Sequence, residues 1–204
     1  MSERALVYVV DDDADLAATL SRLLQRNGHT SLPFSCPEIM LSSYEAGSGT
    51  CILADIMMGP ANGFALAEKI RAIDASAAFV FMTAWPSTAD AVDAIRRHGG
   101  LDYLEKPIDE QRLLAAVEEG LQWSARKKLS MDRVQRLTRR EREVFDQLVQ
   151  GLSNKAVAAR LQVSPKTVED HRAAIMLKTG AESLAELIGI SRAFAPIEMT
   201  GRPN

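Results

Sequence analysis

At 204 residues, 47% hydrophobic and 25% charged, the chain can bury one or two ordinary cores, and its longest apolar runs, six residues at 5–10 and 77–82, exclude a membrane-crossing helix, which needs ~20. The formal charge of −3 hides a partition: residues 1–121 hold 18 acidic and 9 basic side chains, whereas residues 122–204 hold 9 acidic and 15 basic. An acidic half joined to a basic half predicts two domains, the second facing a polyanion, and two cysteines without metal-ligand spacing, Cys36 and Cys51, exclude a disulfide framework and fit buried thiols in a reducing cytoplasm.

The amino-terminal run Leu6-Val7-Tyr8-Val9-Val10 stops in Asp11-Asp12-Asp13, too early for a signal peptide. It has the pattern of a buried strand. Leu16, Leu20, Leu23 and Leu24 mark the buried stripe of a first helix, stopped by Asn27-Gly28. Residues 30–34 contain Pro33 and predict an edge strand, after which Ser35 and Glu38 have the spacing of a capping box. A second apolar run, Cys51-Ile52-Leu53-Ala54, ends in Asp55. Phe79-Val80-Phe81-Met82 ends in Thr83, and Leu101-Asp102-Tyr103-Leu104-Glu105 ends in Lys106-Pro107. Helices are predicted over 63–73, over 88–98, and from Asp109 onward.

Strands alternating with helices predict a parallel, doubly wound sheet, whose ligand crevice lies at the carboxyl ends of the strands. Three consecutive aspartates alone fit a helix cap equally well. With Asp55 ending a second strand in the same manner, the carboxylates crowd together, and such crowding is tolerated chiefly when a hard cation binds through oxygen.

Asp11, Asp12, Asp55, Thr83 and Lys106, each at the end of an apolar segment, resemble the receiver domain of bacterial two-component response regulators over residues 4–121. The resemblance implies a flavodoxin-like five-stranded parallel sheet in a domain spanning 1–121. It makes Asp55 the phosphoacceptor and places Mg2+ on Asp11, Asp12, Asp55 and the Met57 carbonyl. Lys106 would meet the phosphoryl oxygens, Thr83 would donate a hydroxyl, and Tyr103 fills the aromatic switch position. Three features depart from the family's usual pattern: Gly59-Pro60 after the acceptor, Trp85-Pro86 after Thr83, and one added residue at His98-Gly99-Gly100.

Residues 122–136 carry Arg126, Lys127, Lys128, Arg133 and Arg136 and predict a helical linker continuing the fifth helix, although Gly120 and Ser124 weaken that continuity. Thr138 and Glu141 form a capping-box pattern opening a helix that closes at Gly151. Ser153-Asn154-Lys155 opens a short helix to about Leu161, and Ser164-Pro165 opens another. Two helices so closely joined predict a helix-turn-helix, and residues 183–194 predict a fourth helix whose Leu184, Leu187, Ile188 and Ile190 divide between core and a dimer seam.

This half is similar to the LuxR-type output domain, and its pairing with a receiver resembles the NarL/FixJ family, through Gly151-Leu152-Ser153-Asn154-Lys155 and Thr167-Val168-Glu169-Asp170-His171-Arg172. The resemblance implies a small all-α helix-turn-helix domain over 137–204. Glu169, Asp170 and Ala173 would face the major groove, while Asn154, Lys155, Lys166, Thr167 and Arg172 would complete the DNA contacts. The expected protein is a cytoplasmic response regulator, not an enzyme beyond assisting its own phosphorylation. Its partners would be a sensor histidine kinase, double-stranded promoter DNA and, once phosphorylated, a second copy. The alternatives are a phosphorylation-independent DNA-binding regulator with a structural acidic pocket, and an aspartate-nucleophile phosphoryl-transfer enzyme.

Overall fold

The computed structural model describes residues 5–46, 49–59 and 61–194. Pro60 and the outer limits of both expected domains, 1–4 and 195–204, lie outside the described residues. The chain divides near Lys128 and Leu129 into two compact units.

In the first unit, β1 (Leu6–Val10), β2 (Thr30–Phe34), β3 (Thr50–Asp55), β6 (Ala78–Thr83) and β7 (Asp102–Glu105) form one parallel sheet in the order β2-β1-β3-β6-β7. The strands alternate their side chains between two cores. Val7, Val9, Leu53, Val80 and Met82 pack with Leu20 and Leu24 of α1 (Ala14–Arg26) and with Leu113 and Val117 of α5 (Glu110–Gln135). Tyr8, Val10, Ile52, Phe79 and Phe81 face Met40 of α2 (Pro37–Ser42), Leu66 and Ile70 of α3 (Gly63–Ile73) and Ala94 of α4 (Thr88–Arg96). Full burial of each large apolar side chain contributes roughly 1.5–3 kcal/mol, so the alternation alone commits the sheet to being covered on both faces. β2 is an edge strand, as its proline requires.

Three local expectations are corrected or sharpened. The capping box at Ser35 and Glu38 does not form: Cys36 is the N-cap of α2 without a side-chain cap bond, Pro37 sets the first turn, and the Cys36 thiol donates to Glu38 Oε2 at 3.0 Å. Cys51 is fully buried as expected, whereas Cys36 is half-buried. Helix α4 stops at Arg96 rather than His98, because the Gly100 N–H returns to the Ala94 carbonyl at 2.7 Å and closes the end.

Helix α5 runs unbroken through both residues that weaken its propensity. A Cβ at Gly120 would lie 2.7 Å from Cys51 Sγ. The buried Ser124 Oγ accepts the Thr50 N–H at 2.9 Å. Both residues serve the packing of α5 against the start of β3, which outweighs a helix cost of about 1 kcal/mol for glycine. One turn on, Lys127 is buried with its ammonium 4.7 Å from the Trp123 ring centroid, and burial holds its pKa below the usual lysine value.

The second unit packs Val144, Phe145 and Leu148 of α6 (Arg139–Leu148), Val157 of α7 (Asn154–Leu161), Val168 and Ile175 of α8 (Pro165–Thr179), and Leu187 and Ile190 of α9 (Leu184–Phe194) into one core. Thr138 and Glu141 form the expected reciprocal capping box, and Ser153 and Ser164 cap α7 and α8. The turn between α7 and α8 passes through Gln162 in the left-handed region, at φ 54. No helix among the described residues is long and apolar enough to cross a membrane.

Candidate functional site

The sheet order reverses direction at β1, so the carboxyl ends of β1 and β3 flank the crevice where such sheets take ligands. Val10 is in register with Ala54, so the next residues, Asp11 just past β1 and Asp55 at the end of β3, lie side by side. Asp11 is fully buried and Asp55 is 6% exposed. Ligand oxygens of Asp11, Asp12 and Asp55 lie within 4.8 Å of one another, close enough that small rotations would set all three around one ion.

Lys106, just beyond β7, extends Nζ to Asp11 Oδ2 at 2.6 Å and to Asp55 Oδ2 at 2.7 Å. Burial raises the Asp11 pKa, and the hydrogen bond and charge of Lys106 offset this only in part. For Lys106 itself burial opposes the ammonium, but bonds and charges from both aspartates outweigh it and hold the pKa above the usual lysine value. Each remaining oxygen has a local donor. Asp11 Oδ1 accepts from the Asp13 N–H at 3.1 Å, and Asp55 Oδ1 from the Met57 N–H at 3.1 Å.

The triple aspartate divides its labour. Asp13 is the N-cap of α1, its Oδ1 accepting from Asp15 and Leu16 N–H at 3.0 Å each, so the helix-cap reading holds for this residue and the crowded-carboxylate reading for its two neighbours.

Thr83 ends β6 buried beside the crevice, and its Oγ1 accepts the Trp85 N–H at 3.1 Å, leaving the hydroxyl proton for another acceptor. Tyr103 packs against the second sheet face, and its hydroxyl accepts the Ser87 N–H at 3.4 Å. Met57 lies at the rim in β4 (Met57–Met58), which pairs with β5 (Ala61–Asn62) in a two-residue ribbon that the sequence did not signal. That ribbon leads into α3 at Gly63, where a Cβ would collide with the Asp55 carbonyl oxygen. Only glycine lets α3 begin this close to the strand end.

In the second unit, α8 buries Val168 and Ile175 and exposes Lys166, Glu169, Asp170 and Ala173. Lys166 Nζ stands 3.1 Å from Asp170 Oδ1 and 3.9 Å from Glu169 Oε2, so the acidic pair is partly neutralised by its own helix. Thr167 closes the cap of α8 with Ser164, their hydroxyls 2.8 Å apart. Arg172 Nη1 reaches Asn154 Oδ1 at 3.4 Å and thereby ties α8 to the start of α7, while Lys155 is exposed.

Residues 7–118 match the family model of the response regulator receiver domain, and residues 135–191 match that of the bacterial regulatory proteins of the luxR family. The chain is 32% identical over 198 residues to the transcriptional regulatory protein FixJ of Bradyrhizobium diazoefficiens, covering 94% of this chain and 96% of that one. It is 35% identical over 196 residues to FixJ of Azorhizobium caulinodans, covering 92% of each. Among solved structures, the response regulator StyR is similar at a TM-score of 0.58 and 32% identity, covering 94% of this chain and all of that one. Full-length FixJ from B. japonicum is similar at a TM-score of 0.53 and 31% identity, covering 94% and 98%. With both of its units matched and more than nine-tenths of its length shared with such regulators, the chain belongs to the two-component response regulators that couple a receiver to a LuxR-type DNA-binding domain and control transcription.

Proposed function

We propose that Asp55 accepts a phosphoryl group from a sensor histidine kinase in the cytoplasm, and that the aspartyl phosphate favours a dimer that binds promoter DNA through α8. The observation that carries this reading is Lys106, whose ammonium bridges Asp11 and Asp55 at the β1/β3 crevice. A cation already sits where phosphoryl oxygens would gather negative charge. In the transfer an Asp55 carboxylate oxygen bonds to phosphorus as the bond from phosphorus to the donor nitrogen breaks. Lys106 then pairs with a phosphoryl oxygen, and Thr83 donates its hydroxyl to another. The three carboxylates are a hard oxygen donor set, and Asp11, Asp12, Asp55 and the Met57 carbonyl would hold Mg2+, which when bound screens the charge between nucleophile and phosphoryl group. Movement of Thr83 changes the space beside Tyr103, and that ring passes the event to the surface around α4.

The functional division follows the resemblance: a receiver over 1–121, a helical linker over 122–136 and a DNA-binding domain over 137–204. Glu169, Asp170 and Ala173 enter the major groove, Lys155, Lys166, Thr167 and Arg172 set the register on the phosphate backbone, and Asn154 adds a further DNA contact. A monomer contacts one half-site, and a two-fold dimer gains affinity from two half-sites about 10 bp apart.

Intact-mass measurement after treatment with acetyl phosphate and Mg2+ tests the reading. One added phosphoryl group on the wild type and none on Asp55→Asn supports it; equal labelling of both overturns the assignment. Light scattering on the labelled protein should show twice the monomer mass. Equal DNA binding with and without label would leave the acidic pocket a structural role only.

A further inference from the structure

Helix α8 carries an outward stripe that the fold itself leaves unpacked. At about 100° per residue, Lys166, Glu169, Asp170, Ala173 and Leu177 fall within about a third of the helix circumference, opposite the buried Val168, Ile175 and Thr179. Leu177 is 84% exposed, the highest value among the exposed large apolar side chains in the described residues. A single exposed leucine is ordinary on a protein surface. This one continues, one turn on, the stripe that bears Glu169, Asp170 and Ala173.

The polar members of the stripe are not equivalent. Lys166 lies 3.1 Å from Asp170 but 3.9 Å from Glu169, so Asp170 is the more fully answered within the helix and Glu169 is the better available acceptor. The stripe thus offers one carboxylate acceptor followed by two apolar surfaces. In the major groove cytosine and adenine both present an amino donor, but adenine sets its N7 acceptor beside it and guanine presents acceptors alone, so the complements of those surfaces are the amino group of cytosine and the C5 methyl of thymine. From Glu169 to Leu177 the helix rises about 12 Å, the length of three to four base steps.

Building on the reading of α8 as the groove helix, we infer that this chain reads a pyrimidine-marked half-site: Glu169 accepts from a cytosine amino group, and Ala173 and Leu177 contact thymine methyl groups. Leu177 is a specificity-determining residue that the sequence pattern did not single out, because a leucine in an amphipathic helix is read first as core.

The test uses the full chain, treated with acetyl phosphate and Mg2+, to enrich duplexes from a random-sequence pool at one salt concentration. The enriched duplex is then compared with a copy in which deoxyuridine replaces thymidine, a change that removes only the methyl groups. Wild type should lose affinity roughly fourfold for each contacted methyl, and Leu177→Ala, whose side chain lies outside the core, should lose less. Glu169→Gln should move the preference at one position from cytosine to adenine. Equal uracil losses in wild type and Leu177→Ala, or none in either, overturn the inference while leaving DNA binding intact. A fall in dimer mass for Leu177→Ala with unchanged thymine discrimination assigns the side chain to a second copy and likewise overturns it. If no duplex is enriched at all, the DNA-binding reading fails first and this inference fails with it.

Discussion

Two carboxylates delivered side by side by adjacent parallel strands repel each other, and in this chain the ammonium of Lys106 answers both. The side chains are nearly buried, so removing the cation leaves two desolvated charges, a loss that typically costs about 3–5 kcal/mol. We expect Lys106→Met to destabilise the first unit by about 3 kcal/mol at neutral pH in thermal unfolding, with most of the loss recovered when Mg2+ is added. An equal loss with and without Mg2+ would show that the three aspartates do not gather around an ion. The pH dependence has a definite sign. Asp11 has a raised pKa, so the folded state holds its proton more tightly than the unfolded chain does. Asp11 therefore subtracts stability as the pH climbs from the ordinary aspartate range through its raised value.

Glu141 shows the opposite sign. Its carboxylate receives Lys178 Nζ at 2.8 and 2.7 Å and the Thr138 N–H at 2.7 Å, and these bonds, Lys178 first, hold its pKa below the usual glutamate range. The stabilisation is full above the ordinary glutamate value and is lost as pH falls through the lowered one. Glu141→Gln should cost about 1–3 kcal/mol at neutral pH. The measurable consequence is faster hydrogen exchange of α6 and α8 amides than in the wild type at the same pH, with the difference closing in acid; a difference constant across pH would remove the ion pair from the explanation. The capping box around Glu141 was legible in the sequence because its partners are three residues apart. The contribution of Lys178, thirty-seven positions away, was not.

At the scale of elements, helix α5 separates propensity from packing. Gly120→Ala improves helix propensity by about 1 kcal/mol, yet its Cβ would stand 2.7 Å from Cys51 Sγ in a fully buried strand. Overpacking of this kind costs about 1–3 kcal/mol, so Gly120→Ala should lower the melting temperature. Combined with Cys51→Ala, which removes the opposing sulfur, it should recover most of the loss; additive losses in the double mutant would exclude the contact as the cause. The strands and most helices were readable from hydrophobic period and caps. The two-residue ribbon of β4 and β5 was not, since four residues around Gly59 are too few to show a period. The N-cap of α2 falls at Cys36 rather than Ser35 for a related reason: Pro37 can serve the first turn as well as a Ser35 cap, and local spacing does not choose between them.

For the whole molecule, the charge partition carries the consequence that can be measured. Residues 122–204 hold 15 basic and 9 acidic side chains, but Lys166 is engaged with Asp170, Lys178 with Glu141, and Arg172 with Asn154. Lys155 at the start of α7 is exposed, and in the proposed reading it meets phosphate. Lys155→Ala should weaken binding to specific and unspecific duplexes alike, and flatten the slope of log affinity against log salt by about 0.9 for the one lost phosphate contact. A loss confined to the specific duplex would instead make Lys155 a reader of bases.

The two-part organisation, the five-stranded parallel sheet and the side chains that end its strands at the acidic crevice are written in the order of residues along the chain. These depend on local period, on capping chemistry and on which residue ends each apolar run, all properties of short windows. Folding in three dimensions is what makes Lys106 span Asp11 and Asp55, takes Asp13 out of the acidic cluster to cap α1, makes Gly63 and Gly120 sites of close approach, and turns Leu177 outward. Those facts follow from distances between segments far apart in the chain, and from which side of a helix the neighbouring elements happen to cover, neither of which is written in any one stretch of residues.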